Sequence, residues 1–121
     1  MTDLVFEDLT PEELAVITDG AGCGNVEADV PDWIFRPACL RHDFCYWVGG
    51  VEADRAAGDL AFYRGMRALV KINASWYSRW WYYSMAWVYY RSVRNFSGKY
   101  FYYGEPRGRK ELNEGLEKQK E

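Results

Sequence analysis

Histidine occurs once in the 121 residues, cysteine three times and proline four times. With His42 the only histidine, imidazole chemistry is confined to one place. Three cysteines allow one pair and leave one thiol over, which excludes a scaffold held by many disulfides. Long apolar runs are also missing. The longest uncharged run in the aromatic region, Trp80–Tyr90, has 11 residues. A bilayer-spanning helix needs about 20, so none is expected. Met1-Thr2-Asp3-Leu4 has neither the basic start nor the apolar stretch of a secretory signal. No internal repeat is visible.

Acid is absent from residues 60–104, which carry seven bases. Residues 1–59 hold 13 acids and three bases, and residues 105–121 hold five of each. The net charge of -3 names no partner. Its distribution suggests an acidic, cation-binding half and a half that tolerates anionic surfaces. A chain that is 49% hydrophobic and 27% charged fits one globular domain with one core. The unusual figure is 18% aromatic.

Local signals predict a mainly helical chain. Thr10 can cap a helix, Pro11 suits its first position, and Glu13 completes a capping box. That helix should end near Thr18, where Asp19-Gly20-Ala21-Gly22-Cys23-Gly24-Asn25 begins a glycine-rich loop. Glu27 to Phe35 reads as an extended connector. Pro37 opens a second helix, which Gly49-Gly50 ends. A third helix starts near Glu52 and carries Asp59, Phe62, Tyr63, Met66 and Val70 as one stripe. The short Gly-Gly link predicts that these two helices lie antiparallel. Trp76, Trp80, Tyr83, Trp87 and Tyr90 recur at steps of three or four, which predicts a further, aromatic-rich helix. Phe96 to Tyr103 suggests a short strand or hairpin. Residues 1–104 are expected to form the domain, and 105–121 a charged, flexible tail, either a frayed helix or disordered.

The stretch that concentrates chemistry is Pro37-Ala38-Cys39-Leu40-Arg41-His42-Asp43-Phe44-Cys45-Tyr46. On a helix, Cys39, His42, Asp43 and Tyr46 fall at i, i+3, i+4 and i+7, on one face. A histidine is a good general base near neutral pH and needs a partner for its other ring nitrogen. Asp59 on the neighbouring helix is a candidate for that partner. Asp43 is a candidate metal ligand. A hard cation such as calcium takes oxygen ligands, backbone carbonyls included, and the glycine-rich loop around Cys23 offers them.

This pattern resembles the secreted phospholipase A2 superfamily. The residues that carry the resemblance are Gly22-Cys23-Gly24, then Cys39-Leu40-Arg41-His42-Asp43-Phe44-Cys45-Tyr46, with Asp59 on the next helix. Fifteen residues separate Cys23 from Cys39, and His-Asp follows two residues after Cys39. The resemblance covers roughly residues 19–70. It implies two antiparallel, disulfide-tethered helices, a calcium loop, and calcium-dependent hydrolysis of the sn-2 ester of glycerophospholipids at a membrane surface. His42 then resembles the base that activates water. Asp59 resembles its orienting carboxylate, supported by Tyr46 and Tyr63. Asp43 and the carbonyls of Gly22, Gly24 and Val26 resemble the calcium ligands, and the N–H of Gly24 an oxyanion donor. A Cys23–Cys39 bridge would tie the loop to the helix. The chain departs from many-bridged members. Gly58 stands where a cysteine partner of Cys45 would be, which points to small bacterial, fungal or viral-type members with few disulfides. Val26 stands where the family loop has a glycine.

Other readings compete. A zinc site from Cys23, Cys39, His42 and Cys45 is disfavoured, because Cys39 and Cys45 lie about 240° apart round a helix. A Cys nucleophile paired with His42 is weaker still. Most of the aromatic stripe is expected in the core, with some surplus exposed. Trp and Tyr mixed with Arg79, Arg91, Arg94 and Lys99 suit an anionic bilayer. Stacking on single-stranded nucleic acid needs the same mixture, but nothing else supports it and the overall acidity opposes it. The enzyme reading has two rivals: a lipid-binding protein that kept the scaffold without catalysis, and a particle-associated structural protein. The expected location is extracellular or carried on a particle.

Overall fold

The structure is a computed structural model and describes residues 2–18 and 34–120. These residues form five helices and no strand: α1 (Pro11–Thr18), α2 (Arg36–Val48), α3 (Glu52–Asn73), α4 (Arg79–Phe96) and α5 (Arg109–Gln119). The glycine-rich loop, with Gly22, Cys23, Gly24 and Val26, lies outside the described residues, as does most of the connector from Glu27.

The local signals set most helix ends. Thr10 Oγ1 accepts a hydrogen bond from the Glu13 N–H at 3.2 Å, and Glu13 Oε1 accepts one from the Thr10 N–H at 2.9 Å. Two otherwise unpaired donors of α1 are thereby satisfied. Gly49 closes α2 at φ 81°, a left-handed conformation that a side chain disfavours, and its N–H reaches Cys45 O at 3.0 Å. Space forbids a side chain there as well, because a Cβ would collide with Tyr102. Asp54 starts α3 by accepting the Val51 N–H at 2.9 Å.

The Gly-Gly turn folds α3 back along α2. Gly58 faces Cys45 and Gly65 faces Ala38, so the two helices run antiparallel. Glycine at 58 and 65 removes side chains where the backbones come close. The core joins Ile34, Phe35, Ala38 and Cys39 with Phe62, Met66 and Val70 of α3 and Ala86, Tyr89 and Val93 of α4. The α3 stripe is therefore the one its spacing predicts.

Helix α4 departs from expectation. Its core face is Tyr82, Ala86, Tyr89 and Val93, at i, i+4, i+7 and i+11. The tryptophan stripe faces away: Trp76, Trp80, Trp81 and Trp87 are exposed. The buried face is the one free of charge, whereas Ser84, Arg91 and Asn95 share the outer side with Trp80 and Trp81, so aromatic spacing alone picked the wrong stripe. Small Ala86, which is fully buried, stands at the centre of the packed one.

The C-terminal segments also differ. Phe96–Tyr103 forms no strand. A 3-10 turn at Gly98–Tyr100 follows α4, and the chain then runs beside the Gly-Gly turn. There Tyr102 O accepts the Gly50 N–H at 2.9 Å, and Val48 O accepts the Arg107 N–H at 2.8 Å. The charged tail, expected as a frayed helix or disorder, contains α5, which is docked through Leu112, fully buried with Leu4 and Ile17. Asp3 Oδ1 accepts the Arg109 N–H at 2.8 Å, and Arg109 pairs with the buried Glu13 carboxylate. Helix α5 thus anchors the amino-terminal segment to the body of the protein.

Candidate active site

Helix α2 points His42 and Tyr46 at α3, and α3 answers with Asp59. His42 Nε2 lies 2.7 Å from Asp59 Oδ1, and the Tyr46 hydroxyl donates to the same oxygen at 2.6 Å. His42 is 8% exposed and Asp59 0%. Facing an ionised carboxylate, Nε2 carries the hydrogen, so Nδ1 is the basic nitrogen. The His42 ring stacks on Phe62 at 4.4 Å between centroids and lies 4.3 Å from the Tyr46 ring. These contacts fix the imidazole plane.

The second oxygen of Asp59 has partners that the sequence did not suggest. Arg94 of α4 donates from Nη1 to Asp59 Oδ2 at 2.8 Å and from Nη2 to Glu52 Oε1 at 3.2 Å. Arg55 Nη1 stands 3.5 Å from the same Oδ2 and donates to the Val93 carbonyl at 3.1 Å. Glu52 Oε2 accepts from Arg55 Nε at 2.9 Å and from the Tyr103 hydroxyl at 2.8 Å. Burial acts to raise the Asp59 carboxyl, but bonds from His42, Tyr46 and Arg94 outweigh it, and the net shift is downward. For Tyr46, burial first and the Asp59 carboxylate second hold the phenol well above its ordinary value. Tyr46 therefore acts as a fixed donor. Arg55 had a local signal, since it sits three residues after Glu52 and four before Asp59. Arg94, expected to meet anionic lipid, is instead tied to the site, and only tertiary packing brings it there.

Tyr63 does not join Asp59 among the described contacts. Its ring packs on Trp87 and Tyr90, and its hydroxyl accepts from Arg67 at 3.2 Å. Asp43 is partly buried. Its Oδ2 is buried without a hydrogen-bond partner among the described residues, and burial pushes its carboxyl up to about 7. An orphaned carboxylate oxygen of this kind suits a cation. Among the described residues, no three His, Cys, Asp or Glu side chains cluster as a metal site.

Cys45 is a free thiol, raised by burial and then by Asp59 and Asp54. It faces Gly58, where the resemblance puts a cysteine partner. A Cβ at Gly58 would collide with Cys45 Sγ and lie 3.4 Å from its Cβ. That separation is close to the ~3.5–4.5 Å of disulfide Cβ pairs. Gly58→Cys is therefore expected to close a bridge under oxidising conditions. Thiol titration should find no free Cys45, and the short loop should add about 2–3 kcal/mol in urea unfolding. A titratable thiol left in the oxidised variant would contradict the facing geometry.

Comparison with protein-family models, with curated proteins and with solved structures finds no match to this chain. The functional reading rests on the site itself.

Proposed function

We propose that this protein is a phospholipase A2-like hydrolase that cleaves the sn-2 ester of glycerophospholipids at a membrane surface, with calcium as cofactor. The observation that carries the reading is the buried set His42–Asp59–Tyr46, with Nε2 engaged and Nδ1 left for chemistry. Water held at Nδ1 gives its proton to His42 as it attacks the ester carbonyl. The Asp59 carboxylate holds the tautomer and balances the imidazolium that forms. Tyr46 and Arg94 hold Asp59 in turn, one on each oxygen. His42 then returns the proton to the departing alcohol.

Asp43, with the carbonyls of Gly22, Gly24 and Val26, would hold calcium, which supplies positive charge for the developing oxyanion beside the Gly24 N–H. A bridge from Cys23 to Cys39 would anchor that loop at the start of α2. The orphaned Asp43 oxygen is the support on this side of the site.

The test is release of free fatty acid from phosphatidylcholine vesicles. Release should require calcium and stop with chelator. His42→Gln should lower it by about 10²–10⁴-fold. A calcium-dependent association with vesicles but no release, from protein that folds normally, would favour the non-catalytic lipid-binding rival.

A further inference from the structure

Helices α3 and α4 meet at a turn, Ala74–Ser78, that carries an unusual surface. Ile72 is 78% exposed, Trp76 80%, Tyr77 66% and Trp80 68%. Trp81, Trp87 and Val88 continue the exposure along α4. A water-facing tip normally avoids grouped tryptophans, because each leaves a large apolar ring in solvent. A contiguous patch of that kind marks a surface that meets something else.

The charge around the patch selects the partner. Residues 60–104 contain no acid. Arg64, Arg67, Lys71, Arg91 and Lys99 are exposed and form no ion pair among the described residues. Three of them lie against rings: the Arg67 guanidinium is 4.4 Å from the Tyr83 centroid, that of Arg91 is 5.9 Å from Trp87, and Lys99 Nζ is 5.1 Å from Tyr100. By contrast Arg94, on the same helix, is held by Asp59 and Glu52. The bases without an ion pair are exposed, as the tryptophans are, and Arg91 lies against Trp87 itself. Indole rings settle at the headgroup level of a bilayer, and long basic side chains reach from there to phosphate. A second copy of this chain would bring like charge against like charge at the same patch.

We infer that the α3–α4 tip and the outer face of α4, through Trp76, Tyr77, Trp80, Trp81, Lys71 and Arg91, form a docking surface for anionic phospholipid bilayers. Helix α3 joins the patch to the site: Trp87 packs on Tyr63 at 5.7 Å, and Phe62, next to Tyr63 in the chain, stacks on His42. Docking there would hold the enzyme on its substrate sheet while α4, through Arg94, keeps Asp59 in place. The choice of partner rests on the lipid-surface part of the proposed function, not on hydrolysis.

Binding can be measured without turnover, with the full chain in chelator, using vesicles of phosphatidylcholine with or without phosphatidylserine. Tryptophan emission should shift to the blue and the protein should sediment with phosphatidylserine vesicles. Binding should fall as salt rises. Trp76→Ala/Trp80→Ala/Trp81→Ala and, separately, Lys71→Glu/Arg91→Glu should each weaken binding at least about tenfold. Both sets lie on exposed positions, and circular dichroism checks that the helices persist. Equal binding to the two vesicle types, or binding unmoved by either variant, would overturn the inference. So would a blue shift that grows with protein concentration without lipid, which would assign the patch to a second copy. Docking without hydrolysis would leave the inference standing and remove the enzyme reading.

Discussion

Asp59→Ala is expected to destabilise the protein by about 3–5 kcal/mol, the range for stripping one partner from a buried charge pair. The carboxylate is fully buried, and four side chains converge on it: His42, Tyr46, Arg55 and Arg94. Its removal leaves the Arg94 guanidinium without its shortest contact. Arg94→Met in the same background should recover part of the loss, because the stranded charge goes with it. Urea unfolding of both variants and the double variant measures the coupling. A loss below about 1 kcal/mol would mean that the network contributes little. Asp59→Asn keeps the shape but offers an N–H where the imidazole needs an acceptor, so turnover should fall by about 10³–10⁴-fold.

The same carboxylate sets an acid limit. Its folded value lies below its ordinary one, so the folded chain binds fewer protons here than the unfolded chain. The stabilisation is complete above about pH 4 and is lost as pH falls through the lower folded value. Asp59→Asn should flatten that part of the stability profile.

Asp43 gives the opposite sign. Without calcium its carboxyl is pushed up to about 7. The folded chain then holds a proton that the unfolded chain releases near pH 4. Stability therefore declines from about pH 4 to pH 7, at a cost of roughly 2–4 kcal/mol above that window. Asp43→Asn should remove the penalty and raise the melting temperature of calcium-free protein at pH 8. Calcium should reverse the penalty in the native chain only. At a hundredfold excess over its dissociation constant it should add about 2.7 kcal/mol. Affinity should weaken about tenfold per pH unit below 7, since the proton competes for the same oxygen. Calorimetric titration at pH 6 and pH 8, with thermal melts of Asp43→Asn, separates these outcomes. Equal stabilisation of native and variant protein by calcium would place the ion away from Asp43.

Much of the site was legible because its determinants are local. Four positions over two turns of α2, and the Gly49-Gly50 break, need only helical spacing and backbone sterics. Asp59 follows from the antiparallel return that the short link imposes. The loop residues Gly22, Cys23, Gly24 and Val26 lie outside the described structure, so the calcium ligands among them and the Cys23–Cys39 bridge stay with the proposal.

The sequence by itself determined the ends of α1 and α2 and the start of α3, and which chemical groups share a face of α2, since these depend on contacts within a few residues. Tertiary structure decided which side of α4 is buried, that Arg94 rather than Tyr63 completes the shell of Asp59, and that α5 is docked through Leu112. Those outcomes depend on what lies opposite. The spacing of aromatic rings does not tell a ring that packs from one left in solvent, and a guanidinium finds its carboxylate only when packing brings the two together.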